Sequence, residues 1–104
     1  MNALTAERRV STALRAVVTE ETLTFELTDG REVSAPLAWY PRLVHGTVRE
    51  RQRWRLIGDG EGVHWPELDE DISVENLLRG EPSGESQTSF KKWLAGRVRK
   101  AKRS

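Results

Sequence analysis

From Thr12 onward apolar and polar positions alternate: Leu14, Ala16 and Val18 fall on one side, Glu20-Glu21 interrupts, and Leu23, Phe25 and Leu27 alternate again. A period of two puts the apolar set on one face of a strand. Asp29-Gly30 follows at once. Glycine accepts the positive φ of a tight turn whose twist matches its strands, so this pair predicts a two-residue hairpin loop. Arg31 to Ala35 then returns as a third strand with Val33 and Ala35 inward, which completes an antiparallel meander solvated on one face. The polar stretch from Met1 to Val10, with Arg8 and Arg9, has little periodicity and predicts a loose lead-in.

After the meander the pattern turns irregular. Pro36 offers no N–H to a ladder and ends the third strand, and Pro41 both restricts Tyr40 and opens a short helix running to about His45. Leu37 to Tyr40 is expected as a turn with its rings folded onto the sheet. Thr47-Val-Arg-Glu50 has the spacing of a capping box and starts a basic helix reaching Trp54. Arg55 to Ile57 and Val63 to Trp65 flank Gly58-Asp-Gly60-Glu-Gly62, a second hairpin with a glycine-rich turn. A phosphate cradle is not expected there because no helix opens after Val63-His-Trp-Pro66.

Glu67 to Asp71 crowds acids ahead of Ser73 to Arg79, a helix capped by Ser73 or Asp71 and stopped by Gly80 and Pro82. Ser83 to Ser86 reads as a linker and cap. Phe90, Trp93, Leu94 and Val98 then fall on one face of a last helix whose other sides are basic. The fold class is therefore α+β: an antiparallel meander and a second hairpin, packed with short helices and a C-terminal amphipathic basic helix. Residues 1–82 form a small domain, and 83–104 a linker followed by the helix and tail.

With 104 residues, such a chain has room for one core, in which Trp39 and Trp54 are expected as buried members. Trp65, before a proline, is readable either as core or as an exposed interface anchor. There are no cysteines, hence no disulfide, thiolate nucleophile or Cys-assisted metal site. No long apolar run and no charged start followed by an apolar segment is present, which predicts no membrane association and a cytoplasmic location.

The net charge of +1 conceals an asymmetry. Between Asp59 and Glu85 nine acids accompany a single basic residue, Arg79; beyond Glu85 there are no acids, while Lys91, Lys92, Arg97, Arg99, Lys100, Lys102 and Arg103 follow in close order. Arg49, Arg51, Arg53 and Arg55 form another basic group. Charge runs of this kind are either solvated surface or docking surfaces for opposite charge. His45 and His64 with Glu61, Asp69, Glu70 and Asp71 are the available metal or acid/base ligands, but no histidine pair has helical spacing, and no metal or other cofactor is implied. No serine sits in a nucleophile elbow, so no catalytic residue is assigned.

Pro36-Leu-Ala-Trp-Tyr-Pro-Arg-Leu43 and Leu56-Ile-Gly-Asp-Gly-Glu-Gly-Val-His-Trp-Pro-Glu-Leu-Asp-Glu-Asp-Ile-Ser-Val74 together resemble the bacterial domain-of-unknown-function family 2442. The resemblance spans roughly Thr12 to Trp93, with Tyr40 and Val63 as conservative replacements and the basic end outside the pattern. Members of that family are often encoded beside another small protein in a layout similar to toxin and antitoxin pairs, which implies a non-catalytic, antitoxin-like module. On this reading Asp59, Glu61, Glu67, Asp69, Glu70 and Asp71, with Trp65 as anchor, bind a small basic protein encoded nearby. The alternative is a nucleic-acid-binding or regulatory role for the seven basic residues after Glu85. An enzyme stands third.

Overall fold

The computed structural model describes residues 11–103, with side chains described as far as residue 99. The lead-in of residues 1–10 lies outside the described residues. Three strands, β1 (Ala13–Val18), β2 (Thr22–Leu27) and β3 (Glu32–Pro36), form an antiparallel sheet in the order β1-β2-β3. The meander is as the alternation predicts, with two local departures. In β1 the register slips between Ala13, opposite Leu27, and Arg15, opposite Glu26. This bulge turns Ala13 and Ala16 inward and leaves Leu14 54% exposed, because one extra residue reverses the facing of everything before it. The β2–β3 loop has three residues, 28–30, closed by Leu27 N–H donating to the Arg31 carbonyl at 2.8 Å, with Gly30 at φ 94°. A left-handed glycine after a tight turn is the usual way to close a loop of that length.

Pro36 ends β3, and a 3-10 turn (Leu37–Trp39) leads into α1 (Pro41–Val44). Leu37, Tyr40 and Leu43 from this stretch are buried against the sheet. The capping box forms as expected at α2 (Val48–Gln52): Glu50 N–H donates to Thr47 Oγ1 at 3.1 Å and Thr47 N–H to Glu50 Oε1 at 2.8 Å. This helix stops short of Trp54.

A second antiparallel sheet follows, β4 (Arg55–Ile57), β5 (Gly62–Trp65) and β6 (Glu70–Ser73), in the order β4-β5-β6. The expected hairpin is therefore extended by a third strand, drawn from residues read as an acidic approach to a helix. Ile72 of β6 is buried while Asp71 is exposed, so the strand has one buried face despite its carboxylates. Turn 66–69 reverses the chain, with Leu68 N–H donating to the Trp65 carbonyl at 3.2 Å and Asp69 in left-handed geometry at φ 50°. Ser73 caps α3 (Val74–Leu78) by accepting from Asn76 N–H at 3.0 Å, and Gly80 terminates it at φ 72°.

The two sheets meet where β1 touches β4 and β5, and α3 bridges β3 and β6. Gly60 permits the first contact: a Cβ there would stand 3.1 Å from the Ala13 carbonyl oxygen. The glycine-rich turn thus serves close packing. Between the sheets lies Trp65, 0% exposed and stacked on Phe25 at 6.5 Å, in one buried cluster with Leu23, Leu27, Leu43, Val63 and Leu68. Its Nε1–H donates to the Arg51 carbonyl at 2.9 Å. Trp39 and Trp54, expected in the core, are only half-buried against its edge.

Trp65→Ala should therefore cost about 3–5 kcal/mol, a large share of the stability of a small domain. Trp39→Ala and Trp54→Ala, which leave less of a cavity, should cost clearly less. Urea melts of the three variants check the order; equal losses would contradict the placement of Trp65 at the centre.

Candidate functional site

Pro41 sets the first turn of α1 and so directs Arg42 away from the sheet, toward the β5–β6 turn and the last helix, α4 (Gln87–Arg103). Its Nε donates to Glu85 Oε1 at 2.9 Å, its Nη2 to Glu85 Oε2, and its Nη1 to the Asp69 carbonyl at 3.0 Å. Glu85 also accepts from Ser89 Oγ at 2.8 Å. Trp93 of α4 lies under both Arg42 and Arg97, whose guanidinium carbons stand 5.1 and 4.9 Å from its ring centroid. Arg97 in turn forms a two-pronged pair with Glu50, at 2.8 and 3.0 Å. Phe90 completes the row, 5.7 Å from Trp93 and 5.2 Å from His45. Helix α4 is thus docked by its aromatic face and by two part-buried ion pairs.

Beside Arg42 opens a cleft of about 360 Å³. Asp69 from the turn, Glu70 and Asp71 from β6, and Glu81 and Glu85 from the segment before α4 converge on it. Arg42 is the one basic residue in its lining, and it is already engaged by Glu85 and the Asp69 carbonyl. Glu70 is half-buried, and desolvation pushes its carboxyl above the ordinary range against the pull of the Asp71 N–H; the neighbouring Glu85 and Asp71 charges act in the same upward direction. Tyr40, 2% exposed, also lines the cleft. Burial pushes its phenol up, and the Glu70 charge adds to the shift. That hydroxyl is the one buried side-chain polar atom among the described residues without a hydrogen-bond partner.

The residues expected to bind a partner are distributed unevenly around this cleft. Asp69, Glu70 and Asp71 line it, and Glu61 lines an adjoining cleft of about 380 Å³ that shares Asp71, Ile72 and Asn76 with the first. Asp59 stands outside both, exposed in the β4–β5 turn, and Glu67 is paired with Arg53 at 3.0 Å. Trp65 is no interface anchor: the apolar pressure of two sheets and its bond to the Arg51 carbonyl hold it wholly inside. Tyr40, Arg42, Asn76, Glu81 and Glu85 enter the site without having been singled out, although Glu81 and Glu85 belong to the acidic run and Tyr40 and Arg42 to the Pro36–Leu43 motif.

Of the basic residues expected to bind nucleic acid, Lys91, Lys92 and Arg99 are exposed on α4. Arg97 is not available, since Glu50 and Trp93 hold it. The side chains of Lys100, Lys102 and Arg103 lie outside the described residues. His64 pairs with Asp71 across the β5–β6 ladder, whereas exposed His45 packs on Phe90. Among the described residues no three His, Asp or Glu side chains converge as a metal's ligands would, and no helix is long and apolar enough to cross a membrane.

A family model described as "Protein of unknown function (DUF2442)" matches residues 13–83, ending just before Glu85 and α4. No curated protein matches the chain. Among solved structures, a protein of unknown function from Rhodospirillum rubrum ATCC 11170 is 21% identical over 76% of this chain and 98% of its own, with a TM-score of 0.64. An uncharacterized protein from Chromobacterium violaceum is 24% identical over 90% of this chain and 81% of its own, with a TM-score of 0.61. At such identities the likeness concerns the fold.

The ion pairs that dock α4 carry a pH signature. Arg97 lowers the Glu50 carboxyl from its ordinary 4.5 to about 2, and Arg42 lowers that of Glu85. Folded values depressed below unfolded ones stabilise the fold above about pH 4.5, and that stabilisation is lost as the pH falls through the folded values. Glu50→Gln should cost about 1–2 kcal/mol near neutrality and flatten the decline in thermal stability toward pH 2. Melting curves of both proteins across that range check this; parallel declines would show that Glu50 does not contribute.

Proposed function

The chain belongs to the DUF2442 family, and we propose that it acts as a non-catalytic, antitoxin-like module that binds a small basic protein encoded nearby. The observation that carries this reading is the convergence of five carboxylates from two stretches of the chain, 69–71 and 81–85, on one cleft whose lone arginine is already paired. Like charges repel, and the basic neighbours within the fold, Arg42 at Glu85 and Asp69, His64 at Asp71 and Arg79 at Glu81, offset only part of this cluster, so the cleft is suited to a partner bringing the opposite sign. The docking face runs along β6, from Glu61 past Asp71 to Asp69, Glu70, Glu81 and Glu85. Its carboxylates steer the encounter and set its orientation. With Trp65 inside the core, affinity comes from the cleft rather than from a protruding aromatic ring.

The test begins by recovering the tagged chain from its native host, identifying what accompanies it and purifying that protein. Its association rate is then measured with the wild-type chain and with the Asp69→Asn, Asp71→Asn, Glu81→Gln variant. Asparagine tolerates the left-handed backbone at position 69, and these exposed sites should leave the melting temperature nearly unchanged. A basic partner should associate roughly ten-fold more slowly with the variant at low salt, and the difference should shrink as salt is raised. Equal rates with the two proteins, or no associating partner, would remove this function and favour nucleic acid on the exposed face of α4.

A further inference from the structure

The cleft has a feature that its carboxylates alone do not explain. Tyr40 is the most buried residue in its lining, yet its hydroxyl meets no donor or acceptor among the described residues. A buried hydroxyl without a partner is costly, and so is a half-buried carboxylate such as Glu70 with no arginine pairing it. The two occur together at one site. A single donor group placed between them would satisfy both.

The chemistry of that donor is constrained from several sides. Five carboxylates and a paired arginine require the incoming group to be positive. A bare metal ion does not suit, since no three of the carboxylates and histidines among the described residues converge on a common point. A group with several N–H donors, each reaching a different oxygen, does suit. Arg42 cannot swing in to supply them, because Glu85, the Asp69 carbonyl and the Trp93 ring hold its guanidinium.

The surroundings also indicate what carries this cation. Ile72 and Pro82 give the lining apolar surface against which an aliphatic stem can lie, as lysine and arginine stems do. The neighbouring cleft that contains Glu61 shares Asp71, Ile72 and Asn76 with this one, so the acidic lining extends beyond the reach of one side chain, to where the partner's flanking residues would lie. A volume of about 360 Å³ is at the small end for a ligand site and ample for one long side chain. We propose that this cleft is a receptor for a single lysine or arginine side chain of a protein partner, its head group donating to both the Tyr40 hydroxyl and the Glu70 carboxylate. The proposal rests on the acidic face being the docking surface and names the pocket within it.

The probes are the peptides acetyl-Gly-Gly-Arg-Gly-Gly-amide and its lysine, citrulline and norleucine counterparts, with spermidine as a free amine. Each is titrated at low ionic strength into the full-length chain and its Tyr40→Phe and Glu70→Gln variants, followed by amide shifts. The arginine or lysine peptide should shift Glu70, Asp71, Asn76 and Ser83, while the citrulline and norleucine peptides should not. Binding should weaken by about ten-fold or more in each variant, in keeping with loss of one hydrogen bond to a charged group. The melting temperature of Tyr40→Phe should be equal to or above that of the wild type, since it deletes an unpartnered hydroxyl and nothing else. This separates a lost ligand contact from a lost fold. Unchanged affinity in Tyr40→Phe would overturn the proposal, as would absence of binding by both basic peptides. Binding of spermidine in preference to the peptides would overturn the assignment to a protein side chain in favour of a free polyamine. None of these negative outcomes touches the broader partner-binding reading, because its rates are measured on Asp69, Asp71 and Glu81 with the purified partner.

Discussion

The guanidinium of Arg42 holds together parts of the chain that local sequence leaves separate. It joins α1, the β5–β6 turn and Glu85 through hydrogen bonds, and α4 through the face of Trp93. Arginine suits this role because its donors form a rigid planar fork that a lysine cannot match, and because the same plane stacks on an aromatic ring. Taking such a charge out of water is favourable only when its donors are satisfied. Here the carboxylate and the carbonyl satisfy the edge, and the ring covers the face. Arg97 repeats the arrangement with Glu50 on the other side of Trp93. The helix beyond the family match is therefore attached by charge-assisted bonds around an indole, and the main core stays between the sheets.

That core depends on Trp65 more than on the meander alone. Two three-stranded sheets of this size each have too little apolar surface to be stable separately. Trp65 fills the space between them, and its indole N–H reaches the Arg51 carbonyl at the C-terminal end of α2.

Features with local causes were legible in the sequence. The alternation of Leu23, Phe25 and Leu27, the proline at the end of β3, the Thr47–Glu50 box, the Ser73 cap and the glycine after α3 all formed as their neighbours in sequence require. What was not legible depends on distant residues. The bulge in β1 follows from pairing with β2 and from the approach of Gly60 to Ala13. Strand β6 was hidden because Glu70 and Asp71 have poor intrinsic strand preference, and the open edge of β5 overrides it. Trp65 next to a proline gives no local sign of its burial. The acidic character of the site was visible in the run from Asp59 to Glu85, but its shape was not, since Tyr40 and Arg42 reach it from across the fold.

Stability and function meet in the way the charges are allotted. Glu85 and Glu50 sit in the docking contacts with arginines, their carboxyls are held acidic, and each reinforces the fold. Glu70, a short distance along the same surface, goes the other way: burial raises it, and Arg42, directed at Glu85, only partly offsets the cost. Had the arginine been placed to neutralise Glu70 instead, α4 would lose its anchor and the cleft its unbalanced charge. One residue's commitment to the helix thus leaves another carboxylate only partly compensated. A partly compensated carboxylate in the same cleft as an unpartnered hydroxyl is a poor choice for stability alone and a good one for capturing a cation.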